Sequence, residues 1–374
     1  MLDKFFSLKR AGTSVSTELR AGLTTFMTMA YIIFVQPQVL SAAGMDLGAV
    51  MMATCISAAF ATILMGLLTN YPIAQAPGMG ENFFFTYTVV LTMGLSWQAA
   101  LGSVFIAGVV FVLIVLLIMV LGIRDKVVGA IPDTLKHSIA VGIGILIAFI
   151  GMTNAGIVVK SPGGILELGD LKAAPTLLAL FGLGLTAYLR VRRVRGFILW
   201  GLLATAVMGL ITGVIHYPGR LVSLPPSLAP TFLQMDLPAA FSLAALNAVL
   251  VFLTLDIFDT LGTLIGVSEQ AGLMKNGDLP GADKALMADA LGTVVGATLG
   301  TSTVTSYIES SAGVQEGGRT GLTNLVVGLL FVVAIFFYPL VRMIGAGIPG
   351  TNGAMLYPVT ASALIIIGTL IMTG

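Results

Sequence analysis

Charge is the scarcest property of this chain. Only 9% of its 374 residues are Asp, Glu, Lys or Arg, where a soluble globular protein carries about 25%, so a water-facing surface could not be covered. A net formal charge of +1 argues against nucleic acid, which needs a basic patch. The single cysteine, Cys55, lies inside an apolar run, which excludes an internal disulfide or a thiolate metal site. The only histidines, His137 and His216, each stand alone near a segment end. Interface positions explain them better than metal or proton chemistry, and no metal or cofactor is expected. The opening MLDKFFSLKRAGTSVSTELRAG lacks the short apolar core and small-residue cleavage site of a signal peptide. Targeting then falls to the first apolar span.

Apolar residues fill the space that charge leaves: 57% of the chain is hydrophobic and the mean hydropathy is +1.02. Stretches of 17 or more apolar residues recur from near 21 to 372, the length that crosses roughly 30 Å of hydrocarbon. The chain therefore reads as an all-α polytopic membrane protein. Continuous spans are predicted near 21–40, 50–69, 99–121, 138–154, 173–189, 197–215, 241–265, 286–299, 321–340 and 359–373. Two interrupted pieces, 76–93 and 301–316, bring the count to twelve. Basic residues in short loops stay cytoplasmic. Lys4, Lys9, Arg10 and Arg20 accordingly place the N-terminus inside, with Arg124, Lys126, the RVRRVR run at 190–195, Lys275 and Lys284 on the same side. Arg220 and Arg342 fall outside, so clusters obey the rule and single residues do not.

The interrupted pieces carry the functional signal. In NYPIAQAPGMGENFFFTYTVV, residues 70–90, Pro72 and Pro77 remove backbone donors, so an extended segment is predicted to feed a half-helix beginning near residue 80. In GTSTVTSYIESSAGVQEGG, residues 300–318, Thr301, Ser302, Thr303, Thr305 and Ser306 compete for backbone hydrogen bonds and Val304 favours a strand. A short helix over Tyr307 to Ala312 is predicted to follow. Non-helical backbone survives at membrane depth only where protein or a wet cavity satisfies it, and transporters build binding sites from such broken helices. Two of them in one chain point to one shared site.

Acidic residues cluster in the same regions. Asp256 and Asp259 lie three apart on one helical face, with Thr260 and Thr263 extending it. An Asp near mid-helix costs about 2.5–3.5 kcal/mol on insertion, so both are predicted to face a polar cavity. Two carboxylates so spaced in low dielectric do not both ionise readily, and a carboxyl that takes up and releases a proton suits a proton-coupled carrier. Glu309 is the third such group, Glu81 and Asn82 enter the apolar region of the first broken piece, and Phe83 in the FFF run could offer an aromatic wall. Carboxyls in this setting suit a small, neutral, donor-rich heterocycle. Gln36, Gln38 and Gln75 carry a weaker signal, and Pro37 reads as the end or kink of the first span. Glu269, Glu316 and Arg319 are read as charges at the cytoplasmic rim.

Four stretches, LRAGLTTFMTMAYIIFVQP at 19–37, APGMGENFFFTY at 76–87, LDIFDTLGTLIG at 255–266 and GTSTVTSYIESSAGVQEGGRTGLTNLVVG at 300–328, resemble the adenine, guanine and hypoxanthine permeases. These form the AzgA-like branch of the nucleobase–cation symporter-2 (xanthine/uracil permease) family. The resemblance implies an inverted repeat of seven plus seven segments, with short strands and half-helices in segments 3 and 10. The first repeat would be 1–240 and an incomplete second one 241–374, its last two segments absent after Gly374. A core domain, about 19–137 and 241–340, would move against a gate domain, about 138–240 and 341–374. The activity implied is proton-coupled uptake of purine nucleobases across the cytoplasmic (inner) membrane. Sodium is a further candidate for the coupling ion and a homodimer a candidate assembly. By motif, substrate binding falls to Asn82, Asp256, Thr260, Glu309, Thr303 and Phe83, and proton coupling to Asp256, Asp259, Glu309 and Glu81. Glu81 and Gln36 depart from the family pattern. Alternatives are a carrier of the same architecture for xanthine, uracil or an anion, and, remotely, an intramembrane aspartyl-type enzyme, which an i,i+3 pair on one helix does not fit.

Overall fold

The computed structural model describes residues 2–121, 133–160, 164, 166–274, 278–345, 347–350 and 355–373. Arg124, Lys126, Lys275 and the side chains of Lys4 and His137, which bear on the orientation and histidine arguments, lie outside the described residues.

The fold is a polytopic all-α membrane fold. Among the described residues, six helical stretches are long and apolar enough to cross a bilayer, and Val141–Asn154, Phe197–Ile211 and Pro358–Met372 are shorter apolar helices. In chain order the principal elements are α1 (Val15–Met29), α2 (Ile32–Ser41), α3 (Leu47–Thr69), β1 (Gln75–Pro77), α4 (Met79–Phe83) and α5 (Trp97–Leu121). They continue with α6 (Asp133–Asn154), α7 (Ala174–Val191), α8 (Phe197–Ile211), α9 (Leu243–Gln270), α10 (Ala282–Leu299), β2 (Val304–Ser306) and α11 (Ser310–Gln315). The last are α12 (Gly321–Ala334), α13 (Tyr338–Gly345) and α14 (Pro358–Thr373). Short hairpins join Val158–Lys160 to Leu166–Leu168 and Ile348–Pro349 to Met355–Leu356.

The chain divides into two compact units, one comprising 1–131 and 225–336 and the other 132–224 and 337–374. In the second unit, α6 and α14 cross at small residues. A Cβ on Gly368 would lie 2.5 Å from the Gly144 carbonyl oxygen and 2.6 Å from the Ala148 amide nitrogen, so the two backbones touch. That is how helices associate in lipid, where no hydrophobic drive separates them from the solvent.

In the first unit, α3, α5, α9 and α10 enclose an apolar core around Met65, Phe111, Val115, Leu261, Leu264 and Leu286. Gly313 lets α11 press against α1: a Cβ there would lie 2.7 Å from the Ala21 carbonyl oxygen. Glu18, fully buried in α1, accepts hydrogen bonds from Arg319 N at 2.9 Å, Thr323 N at 3.2 Å and Thr323 Oγ1 at 2.5 Å. A carboxylate from another element thus caps the N-terminus of α12, where the helix dipole favours negative charge. Arg319, read from the sequence as a rim charge, contributes its backbone N–H to this cap.

The first span differs from the continuous helix predicted over 21–40. It breaks between α1 and α2, where Ile33 N bonds Ala30 O at 3.2 Å and Phe34 N bonds Tyr31 O at 3.0 Å, three-residue steps replacing the α ladder. Pro37 lies inside α2, which runs past it to Ser41. After α4 the chain continues as a π-helix, Phe84–Thr92, a form concentrated at functional sites.

Candidate functional site

The site is built around β1 and β2, which pair antiparallel with Gln75 opposite Ser306, Ala76 opposite Thr305 and Pro77 opposite Val304. Gly78 N to Thr303 O and Tyr307 N to Ala74 O, both 2.9 Å, extend the ladder. Two segments that break their helices inside the protein need partners for their amides, and each supplies them to the other. Their outer edges are closed by one threonine each. On α3, Thr62 Oγ1 accepts from Gln75 N at 2.9 Å and donates to Gln75 O at 2.8 Å. On α10, Thr293 Oγ1 accepts from Val304 N at 3.0 Å and lies 3.1 Å from Val304 O. The same device serves both strands, which gives the first unit an internal symmetry.

The i,i+3 pair on α9 divides in role. Asp256 is 1% exposed and turns to α10, where Thr293 Oγ1 donates to its Oδ2 at 2.8 Å. Asp259 is exposed and accepts at Oδ2 from Thr305 Oγ1 at 3.2 Å. Glu309, the residue before α11, is half-buried. Tyr31 Oη donates to its Oε1 at 2.6 Å and Thr28 Oγ1 to its carbonyl oxygen at 3.3 Å, so the break in the first span is what delivers Tyr31 to the carboxylate. Asp259 and Glu309 are within electrostatic reach of each other. Glu81 is buried, has no donor at Oε2 among the described residues, and lies within electrostatic reach of Asp259 and Asp256.

Sequence reasoning passed over Asp289, a fully buried acid on α10. Its Oδ1 accepts from Thr260 Oγ1 at 2.6 Å, Gln75 Nε2 at 2.8 Å and Ser306 Oγ at 3.4 Å, and its carboxyl adjoins that of Asp256. The signal was available: Asp289 is an acid inside the span predicted over 286–299. Gln36, given little weight, proves central. Its Nε2 donates to Thr301 Oγ1 and Ser302 Oγ, both at 2.9 Å, and its Oε1 accepts from Asn82 Nδ2 at 2.5 Å. Asn82 and Thr303 are both fully buried, and Asn82 Oδ1 and Thr303 Oγ1 have no hydrogen-bond partner among the described residues. Phe83 is fully buried and stacks on Tyr87 at 5.8 Å between ring centroids, so its ring packs within the protein. Among the described residues no group of three or more His, Cys, Asp or Glu side chains has the arrangement to hold a metal ion.

The family model described as Permease family matches residues 16–373, nearly the whole chain and every element of the site. The chain belongs to this permease family. Among relatives, the permease is 45% identical to the guanine/hypoxanthine permease PbuG of Bacillus subtilis, over 99% of this chain and 83% of that protein. It is 42% identical to the adenine permease AdeP of Escherichia coli, over 96% of this chain and 79% of that one. Among solved structures, the transmembrane domain of the cyanobacterial bicarbonate transporter BicA matches with a TM-score of 0.69 at 20% identity, covering 95% of the permease and 88% of that chain. At that identity the likeness speaks to the fold alone, which the permease shares with a membrane transporter.

Proposed function

We infer that the permease is a secondary active transporter that takes up purine nucleobases, adenine, guanine or hypoxanthine, with protons across the cytoplasmic membrane, and that it belongs to the AzgA-like branch of its family. The observation that carries this reading is the pair of accessible carboxyls, Asp259 and Glu309, which come from different elements flanking the two paired strands and lie within electrostatic reach of each other. A purine offers ring N–H groups and, in adenine and guanine, an exocyclic amine, and a carboxylate accepts such bonds with added strength from its charge. The printed substrates of PbuG and AdeP support the same class.

In this reading Asp259 holds the base directly, in the role first expected of Asp256, and Glu309 holds it from the opposite element. Asn82 Oδ1 and Thr303 Oγ1, without other partners among the described residues, supply further polar contacts, with Thr260 behind them. The unit of 1–131 and 225–336, which contains all these residues, takes the role of core domain, and the other unit that of gate. The inverted repeat relates β1–α4 to β2–α11 as the half-helical segments 3 and 10, and the N-terminus faces the cytoplasm. The test is uptake of labelled adenine, guanine, hypoxanthine, xanthine and uracil into cells lacking their own permeases, with and without a protonophore. Saturable purine uptake abolished by the protonophore is expected; uptake of uracil or xanthine alone, or none sensitive to the protonophore, would refute the reading.

A further inference from the structure

We propose that Asp256 and Asp289 form a buried proton store joined to the accessible Asp259 by a relay of two hydroxyls, Thr305 and Thr260. The proposal rests on the proton-coupled reading above and names where its proton resides.

The store follows from unmatched oxygens. Asp256 is 1% and Asp289 0% exposed. Among the described residues Asp256 Oδ1 and Asp289 Oδ2 find no hydroxyl or amide donor, while the two carboxyls lie within hydrogen-bonding reach of one another. Two carboxyls so close repel when both are ionised, and a proton shared between them removes the repulsion. The donors decide who owns it. Asp289 Oδ1 accepts from three donors, Gln75, Thr260 and Ser306, whereas Asp256 Oδ2 accepts from Thr293 alone. Charge-assisted bonds favour the anion where donors are most numerous, so Asp289 carries the charge and Asp256 the proton. The other titratable groups facing the pair are Asp259 on α9 and Glu81 on α4.

The relay is continuous: Asp259 Oδ2 to Thr305 Oγ1, 3.2 Å; Thr305 Oγ1 to Thr260 Oγ1, 3.1 Å; Thr260 Oγ1 to Asp289 Oδ1, 2.6 Å. When Asp259 is protonated its O–H donates to Thr305, Thr305 to Thr260 and Thr260 to Asp289. A shift along this row breaks the Asp259 O–H bond, passes each hydroxyl's own proton onward and forms an O–H bond on Asp289. Both threonines end as hydroxyls, Asp259 ends as an anion and Asp289 as an acid; one proton has moved and no other reactant is needed. A base bound through Asp259 would thereby be linked to a charge that never leaves the protein interior.

The experiment uses the full chain, purified and reconstituted in liposomes, with guanine as probe. Thr305 is the position to vary, because its backbone pairs with Ala76 whatever its side chain. Thr305→Val also takes a donor from Asp259, so it is expected to weaken guanine binding by no more than about thirty-fold and to keep counterflow at saturating guanine, which needs no net proton movement, while losing accumulation driven by an inward pH gradient at the same guanine concentration; Thr305→Ser is expected to restore both affinity and accumulation. Wild-type accumulation in Thr305→Val would overturn the relay, as would equal loss of counterflow and accumulation in both variants. The store is read separately by infrared difference spectra on a pH step without base. A protonated-carboxyl band that Asp256→Asn removes supports it, and a spectrum unchanged by that substitution overturns it. Failure of the wild-type protein to bind any purine would refute the substrate reading while leaving this last measurement in force.

Discussion

Replacing Tyr31 by Phe removes one oxygen and tests how the permease presents Glu309 to its substrate. Tyr31 is 2% exposed, so the ring stays packed and the chief loss is the 2.6 Å bond from Oη to Glu309 Oε1. Glu309 is half-buried, and water can take the place of the lost donor, which keeps the penalty on folding small. The cost appears on binding. With its phenol partner the carboxylate is already oriented; without it, the side chain must be frozen when the base arrives, at about 1–2 kcal/mol, or roughly five- to thirty-fold in Kd. Calorimetric titration of the purified protein with guanine, alongside thermal unfolding, separates the two terms. Weaker binding with a nearly unchanged melting temperature is expected. Affinity unchanged within about two-fold, or a loss accompanied by an equivalent loss of stability, would refute the idea that Tyr31 orients the carboxylate.

Glu309→Gln and Asp259→Asn are each expected to weaken base binding by about 2–3 kcal/mol, the cost of losing a hydrogen bond to a charged acceptor, and Asp259→Asn more than Asp256→Asn; competition with labelled base on the purified variants measures all three. Gly368→Leu forces apart α6 and α14 at a 2.5 Å approach and is expected to destabilise the fold by about 1–3 kcal/mol, seen as a lower melting temperature in detergent. Glu18→Ala strips the cap from α12 and leaves the amides of Arg319 and Thr323 without their acceptor, a loss of about 0.5–2 kcal/mol. It is expected to lower thermal stability while the base affinity of the surviving folded fraction stays close to that of the parent.

Much of the membrane architecture is legible in composition, because 9% charge and repeated apolar runs permit little else. The two broken segments are legible as well: Pro72 and Pro77 in one, five hydroxyls and Val304 in the other, each deny the backbone a regular ladder. Partner choice is not. That β1 would satisfy β2, with Thr62 and Thr293 closing the outer edges, depends on contacts 11–13 residues away and beyond, and no local pattern encodes them. The same limit explains the acids. Spacing puts Asp256 and Asp259 on one face of α9 but says nothing about how neighbours divide that face, and α10 covers the first while the second stays exposed. Asp289 and Gln36 were visible as polar residues in apolar runs, yet their roles exist only through the strands they touch. Tyr31 reads as one more aromatic of an apolar helix until the break between α1 and α2 turns it toward Glu309.

The most direct measurement is an experimental structure of the permease with guanine bound. The carboxyl oxygens of Asp259 and Glu309 are expected within about 3 Å of ring or exocyclic nitrogens of the base, with Asp256 and Asp289 still facing each other behind the strands. A base held by Asp256 instead, or bound away from both Asp259 and Glu309, would contradict the assignment of those two carboxyls as the substrate's partners.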